Sequence, residues 1–309
     1  MHNANLLGSA QGAAEPALPR GAIRPRGRSR AYLLALLPFA ALVLTYEVAP
    51  LLTLMVRSFL TPKTGAFTLA NYAAIFQKKL YRDAVLNSLN LSLLSAAIGM
   101  VIAFFAAKAA HESAPGRRNA FVSLLTMTSN FAGVPLAFAY IILLGNAGVL
   151  ILLGKHFGID FLTHYQLYSF SGLVLVYVYF QIPLGTMLLL PALQALRPEW
   201  REAVSLLGGG GARYWLRVGL PVLLPSLLGT FSVLFSNAVA AYATAYALLG
   251  GNFSLLPIRI SEQFVGDVLQ KKEFGSALAV MLMVLMIAVT TLSNWLLRRA
   301  GQQEDGHAK

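Results

Sequence analysis

Cysteine is absent from this chain of 309 residues, and charge is scarce. Without cysteine there is no disulfide, no thiolate nucleophile and no cysteine-built zinc site. The five histidines, His2, His111, His156, His164 and His307, form no compact ligand motif with a neighbouring acid. No glycine-rich loop ends in Lys-Ser or Lys-Thr, since the four glycines at 208–211 lack both the lysine and a preceding strand. The chain is therefore not expected to bind or hydrolyse ATP itself. It carries no zinc-protease motif, no serine elbow, and no acid pair or serine–histidine pair at workable spacing within its apolar stretches. These absences argue against an enzyme. Only 12% of residues are charged, about half the share of a soluble domain, while 57% are hydrophobic. That composition belongs to a membrane protein. The net charge of +12 needs no nucleic acid to explain it, because basic loops are expected on the cytoplasmic side of a membrane protein.

Six stretches reach the roughly 20 apolar residues that cross a hydrocarbon core of about 30 Å. They are 32–56, 84–107, 119–144, 165–193, about 221–248, and 274–297. The expected fold class is all-α, a polytopic membrane protein with about six transmembrane helices. Residues 1–31 form a basic tail with Arg20, Arg24, Arg26, Arg28 and Arg30, residues 32–299 the transmembrane domain, and residues 300–309 a polar tail. The first apolar stretch is too long for a signal peptide and no small-residue cleavage site closes it, so an uncleaved first helix is expected. Pro38 and Pro50 in that helix, and Pro183 and Pro191 in the fourth, are expected to bend or interrupt their spans.

Polar residues inside the spans are the candidates for a pathway. Glu47 is the one ionisable group in the first span, and it either lines a route or marks the outer end of a shorter span. Asn130 shares a side of the third span with Thr126, Gly133 and Ala137. Ser226, Thr230 and Asn237 line one side of the fifth span, ahead of Thr244. The run L-N-S-L-N-L-S-L-L-S at 86–95 places small polar groups where helices pack closely. The loop 57–83 is expected to hold one short helix, and the loop 250–273 an amphipathic helix within 256–272.

Charge sets an expected topology. With the amino end inside, the inner segments 1–31, 108–118, 194–219 and 298–309 carry 15 of the 24 basic residues. This places the loop 196–221 inside as well. That loop is the most charged stretch between two apolar segments, with four arginines and two glutamates. Pro198 suits the first turn of a helix, and Glu199 and Glu202 suit its positive end. Trp200, Ala203, Val204 and Leu207 recur on one face and are expected to hold the helix to the rest of the chain, while Arg201, Glu202 and Ser205 face away. The glycines at 208–211 then end the helix. Arg213 to Arg217 is expected to begin a second short segment leading to Pro221.

Glu202-Ala203, then Gly208 six residues after the glutamate, then Val218-x-Leu220-Pro221, resemble the cytoplasmic signature of permease subunits of ABC importers. Val204 stands for the signature's second alanine and Val218 for its isoleucine. The resemblance implies a fold like that of type I importer permeases over roughly 32–299. It implies that the loop 196–221 couples to an ATPase, with Glu199, Glu202, Ala203, Gly208 and Pro221 carrying the coupling. It further implies a second permease, homologous or identical, two cytoplasmic ATPase subunits that hold ATP and Mg²⁺, a solute-binding protein outside, and a place in the bacterial inner membrane. The chain itself is expected to need no cofactor. The loop before the second span and its L-N-S-L start are similar to the spermidine/putrescine-type permeases, so a polyamine is the first expected solute, with iron, phosphonate or another small solute as alternatives. A secondary transporter or channel driven by an ion gradient is the rival from another class, and it would show broken helices around a midplane ion site.

Overall fold

The computed structural model describes residues 28–306 except 63 and 266–270, with side chains over 36–299 of that range. The expected basic tail thus lies outside the described residues up to 27, and the polar tail from 307 onward. Among the described residues the regular elements are helices, with one isolated bridge between Leu60 and Phe67. The chain divides into two compact units, residues 1–50 and 51–309.

The first unit holds most of helix α1, the span Leu36–Arg57. A π turn at Leu44–Val48 sits just ahead of Pro50, with the Ala49 N–H reaching Leu44 O. Proline cannot donate to a carbonyl four residues back and its ring crowds that carbonyl, so a locally widened turn before it relieves the conflict.

The second unit is a helix bundle. In chain order it contains α2 (Ala70–Gln77), α3 (Lys79–His111), α4 (Pro115–Ser129), α5 (Val134–Leu144), α6 (Val149–Phe157), α7 (Phe170–Gln194), α8 (Pro198–Leu206), α9 (Gly211–Ala240), α10 (Ala243–Leu249), α11 (Leu256–Phe264) and α12 (Lys272–Gly306). Helix α7 is the centre, and its main neighbour is α3. The reason is visible in the spacing on α3. Ala84, Ser88, Ser92, Ala96, Gly99, Ala103, Ala107 and Ala110 recur at three- and four-residue intervals and are all buried. Small residues let two backbones approach, which matters in lipid because hydrocarbon tails remove the hydrophobic drive between helices. A Cβ on Gly99 would lie 2.7 Å from Gln181 Cβ, and one on Gly185 would lie 2.9 Å from Ala103 Cβ. Leu94, Ile98, Ile102 and Phe105 stand exposed on another side of α3, an arrangement that hydrocarbon accepts without cost.

Six stretches are long and apolar enough to cross a membrane: Leu36–Arg57, Lys79–His111, Val134–Phe157, Phe170–Gln194, Gly211–Ala240 and Lys272–Arg299. The third departs from the expected 119–144. Residues from Pro115 to Ser129 form the separate helix α4, which at 15 residues is too short to cross alone and carries Arg117, Arg118, Asn119, Ser123, Thr126 and Thr128. The chain breaks at 130–133, where Gly133 takes φ 73°, and Pro135 near the start of α5 suits a fresh helix. The apolar run then passes a turn at Gly145–Gly148 and continues through α6 to Phe157. The prolines at 183 and 191 do not interrupt α7, which runs unbroken from Phe170 to Gln194. The fifth span begins earlier than expected, at Gly211, and stops at Ala240, so the stretch to 248 is not one helix. Small polar groups of α3 tie down the 250–273 loop: Asn87 Nδ2 donates to Ser254 O at 3.1 Å, and the Leu256 N–H donates to Ser88 Oγ at 2.8 Å.

Candidate functional site

Two places in the second unit combine polar groups with exposed surface: the hairpin α8–α9 and a pair of facing helix breaks. The hairpin starts with Pro198 in the first turn of α8 and ends on a glycine in the left-handed region, Gly208 at φ 72°. Gly209 N–H reaches Val204 O at 2.8 Å and Gly208 N–H reaches Ser205 O at 3.0 Å. This pair of bonds is the Schellman closure, which satisfies carbonyls that a helix end leaves open. Nothing lies within 4 Å of a Cβ placed on Gly208, so only its backbone angle demands glycine. Gly209 is different, because a Cβ there would meet Val204 Cγ1 at 2.6 Å.

The second limb is anchored by Trp215. Its ring meets Phe104 edge-on at 5.7 Å, and the Lys108 ammonium lies 4.9 Å from its centre. A Cβ on Gly219 would lie 2.7 Å from the same ring. A π turn at Trp215–Gly219 precedes Pro221, with the Leu220 N–H bonding Trp215 O. As at Pro50, the widened turn accommodates a proline that cannot bond four residues back. The segment expected to be a second short piece is therefore the first turns of the continuous helix α9.

The exposed face of α8 differs from expectation. Trp200 and Val204 are half-buried, but Ala203 is exposed and Leu207 is 83% exposed, so neither Ala203 nor Leu207 holds the helix to the bundle. Leu206 is 88% exposed beside it. Leu207 follows Ala203 by one turn, its N–H bonding Ala203 O at 3.2 Å, so the side of α8 that carries both is the exposed one, which the helical spacing alone did not indicate. Glu202 is exposed as expected, Glu199 in the first turn is exposed too, and Pro221 is exposed in the first turns of the membrane-crossing part of α9.

The facing breaks lie within the bundle. One is 130–133 between α4 and α5; the other is Ala241–Tyr242 between α9 and α10, where Ala241 has extended backbone. Thr244 Oγ1 donates to Gly133 O at 3.4 Å and joins the two. The Tyr177 hydroxyl, on fully buried Tyr177, donates to Ala241 O at 2.6 Å. Gln181 Nε2 donates to Leu234 O at 2.7 Å, and Asn237 Nδ2 donates to Gln181 Oε1 at 3.4 Å. The Tyr177 hydroxyl of α7 thus takes up a carbonyl at the break of the neighbouring helix, which is how interrupted helices survive in lipid, while Gln181 ties α7 to the interior of α9. Beside the breaks is a cavity of about 600 Å³, walled by Gly133, Phe180, Asn237, Ala241, Tyr242 and Thr244 among others. No lining residue carries a carboxylate, ammonium or guanidinium.

The pathway candidates separate on this geometry. Asn237 is exposed at the cavity, and Asn130 is exposed at the break, its Nδ2 donating to Thr126 O at 2.9 Å. Thr230 lies on the same side of α9 as Asn237 but is 5% exposed, because neighbouring helices close that side until the cavity opens. It does not face open space within this chain. Ser226 is half-buried. Glu47 is exposed in the π turn of the first unit. Tyr177 and Gln181 were missed from sequence. A glutamine inside an apolar span is itself a signal for an internal polar partner, and that signal was available at Gln181. Among the described residues no group of histidines and carboxylates is placed to hold a metal ion.

Comparison with known proteins places these features. The family model described as "binding-protein-dependent transport system inner membrane component" matches residues 99–302, a range that includes the hairpin and both breaks. A putative ferric transport system permease protein of Haemophilus influenzae is 25% identical over 82% of this chain and 40% of its own length. A thiamine transport system permease protein of Salmonella typhimurium is 27% identical over 69% of this chain and 38% of its own. A probable sulfate transport system permease protein of Helicosporidium is 25% identical over 43% of this chain and 49% of its own. The chain thus spans less than half the length of these relatives. In structure it resembles a chain of a bacterial ABC transporter involved in the import of the acidic polysaccharide alginate, with a TM-score of 0.69, 20% identity, and coverage of 87% of this chain and 96% of that one. A chain of the MetNI methionine ABC transporter in an inward-facing conformation gives a TM-score of 0.56 at 14% identity, covering 76% and 99%.

Proposed function

Because the chain belongs to the family of binding-protein-dependent transport system inner membrane components, we propose that it is the membrane-spanning permease subunit of an ATP-driven importer. It is a transport subunit of a multi-pass inner-membrane protein class rather than an enzyme. In this reading α8 and its exit at Gly208 dock on a cytoplasmic ATPase subunit, which binds ATP and Mg²⁺. A second permease, identical or homologous, completes the route, and a soluble binding protein delivers the solute outside. The amino end lies inside, as the distribution of basic residues favours.

The observation that carries the reading is the hairpin: a helix closed by a left-handed glycine that presents Leu206 and Leu207 to water at 88% and 83% exposure. Two adjacent leucines so exposed outside the apolar spans are unfavourable in a lone chain and favourable in an interface, at about 25 cal/mol per Å² covered. Glu199 and Glu202 beside them supply polar contacts at the rim. The solute is a small molecule whose route in this chain is lined by hydroxyl, amide and backbone groups. A polyamine gains no support, since no carboxylate lines the cavity and the relatives are described for iron, thiamine and sulfate.

Broken helices are also what an ion-driven secondary transporter would show. What favours the importer over that rival is the family match over residues 99–302, which includes the hairpin, a feature that an ion-driven transporter does not need. A single cysteine at Leu207, in a chain that has none natively, tests the docking. It should react readily with a water-soluble maleimide in the free permease and be protected when the ATPase subunit is added. Equal reactivity with and without a bound ATPase would exclude this face as the contact.

A further inference from the structure

A second cavity, of about 240 Å³, lies behind α8 at the ends of α3 and α7. Its charged lining comes from three elements. Lys108 and His111 come from α3 and Glu112 just follows it; Arg197, just before α8, and Arg201 and Glu202, within it, complete the set. Tyr214 and Trp215 of α9 form the apolar wall. Apart from Glu202, which also reaches the outward rim, the docking contact uses none of these groups, and Lys108, His111, Tyr214 and Trp215 line the bundle side of the hairpin.

We propose that this cavity binds a phosphate group at the membrane surface, either the headgroup of an anionic phospholipid or a free phosphate ion. Four observations support it. First, the three cations have no carboxylate within 4.0 Å, the one ion pair among the described residues being Arg259 with Glu262. Second, Arg197 and Arg201 are four residues apart, a spacing that brings like charges together at a cost unless an anion sits between them. Third, Arg197 occupies the N-cap of α8, where the helix's positive end disfavours a cation and favours an anion. Fourth, His111 Nδ1 is enclosed and has no hydrogen-bond partner. A phosphate group answers the first three conditions together, since its oxygens neutralise the arginine pair and place negative charge at the helix end, while the partnerless imidazole of His111 forms part of the wall.

Placement argues for the same ligand. The cavity sits at the ends of two membrane-crossing helices, where lysine and arginine stems reach to the headgroup layer. The Lys108 ammonium lies 4.9 Å from the centre of the Trp215 ring, an aromatic residue of the type that favours that layer. Glu112 and Glu202 lower the net charge of the lining to +1 with His111 neutral, so the site suits a monoanion better than a multiply charged headgroup. Arg197, Arg201 and Glu202 are exposed at its mouth, so the site is tested in the permease without an ATPase, where its failure is read separately from a failure of docking.

The full-length chain, reconstituted in phosphatidylcholine vesicles with and without phosphatidylglycerol, provides the test. Lipid retained after gentle extraction is counted by native mass spectrometry, and inorganic phosphate binding is measured separately in pure phosphatidylcholine. Phosphatidylglycerol should be retained in preference to phosphatidylcholine. Retention should fall about fivefold for each cation removed in K108Q, R197Q and R201Q. It should be unchanged in R298Q/R299Q, which removes the basic pair at the end of the last span. Phosphate binding in pure phosphatidylcholine that the same three variants abolish would assign the site to the free ion and keep the proposal. No preference for phosphatidylglycerol together with no phosphate binding would overturn it. So would equal loss in R298Q/R299Q, which would show a general attraction of basic surface for anionic lipid. Because single glutamine variants at exposed or half-exposed positions keep the fold, as elution volume and circular dichroism will check, each arm is decisive.

Discussion

Helix α7 contains two prolines and is whole; the α9–α10 segment contains no proline near residue 241 and is broken. Proline alone therefore does not decide where a helix stops inside this bundle. What decides is whether a neighbour supplies partners for the groups that a break would expose. In α7 the carbonyls that Pro183 and Pro191 leave open cost too little to end the helix, and neighbouring helices hold its buried face along its length. At Ala241 the opposite holds: the Tyr177 hydroxyl takes up the carbonyl, Thr244 bridges to Gly133 on the facing break, and the chain is free to turn. The continuous helix is thus the support, and the broken one is the part that opens a cavity.

The close approach of α3 to α7 underlies this division, and disturbing it should have the largest effect. Gly99→Leu forces a side chain where even a Cβ would lie 2.7 Å from Gln181. Overpacking of this kind costs about 1–3 kcal/mol. Thermal unfolding in detergent should show a clear drop in midpoint, with loss of the Gln181 contacts to Leu234 and Asn237. An unchanged midpoint would mean that the two helices are not held by this seam.

The cavity at the break predicts a sharp contrast along one side of α9. A cysteine at Asn237 should label with a water-soluble reagent, and a cysteine at Thr230 should not, since Thr230 is 5% exposed and Asn237 is open. Labelling of both at similar rates would show that the side is open throughout and that the break is not what admits water.

Sequence made part of this comparison legible and hid the rest. The six apolar runs were readable because the length of a membrane crossing is fixed by bilayer thickness, and the signature at Glu202, Gly208 and Pro221 was readable because its spacing is local. Gly208 could be anticipated as a left-handed stop for the same reason. The breaks could not. Gly133 and Ala241 lie 108 residues apart and meet only in the fold, and Tyr177, which supports one of them, reads in sequence as one more aromatic in an apolar run. The exposure of Leu206 and Leu207 was hidden by a different cause: helical periodicity groups Ala203 with Leu207 and Glu202 with Leu206, but it does not say which of these sides meets the bundle, and both are exposed.

A smaller effect is expected from Tyr177→Phe. It removes one hydroxyl and leaves the Ala241 carbonyl without that donor, which in a membrane bundle costs about 0.6 kcal/mol and rarely more than about 1.7. The measurable consequence is faster hydrogen exchange at residues 241–246, with little change in melting temperature. Exchange that stays at the wild-type rate would remove Tyr177 from the account of the break. The smallest effect belongs to Pro191→Ala. Pro191 is exposed on α7, and because proline does not govern where this helix ends, stability should stay within about ±0.5 kcal/mol. A change beyond that in either direction would restore proline as a determinant.

The central claim is that the hairpin is the contact with an ATPase, and co-purification tests it most directly. Gly208 requires the left-handed region and Gly210 does not, so Gly208→Val should distort the closure by about 1–2 kcal/mol of backbone strain while Gly210→Ala should not. With the ATPase subunit co-expressed and the permease tagged, wild type and Gly210→Ala should retain the ATPase. Gly208→Val and the pair Leu206→Ser with Leu207→Ser should lose most of it, although each permease still reaches the membrane. Retention of the ATPase by all four proteins alike would contradict the account.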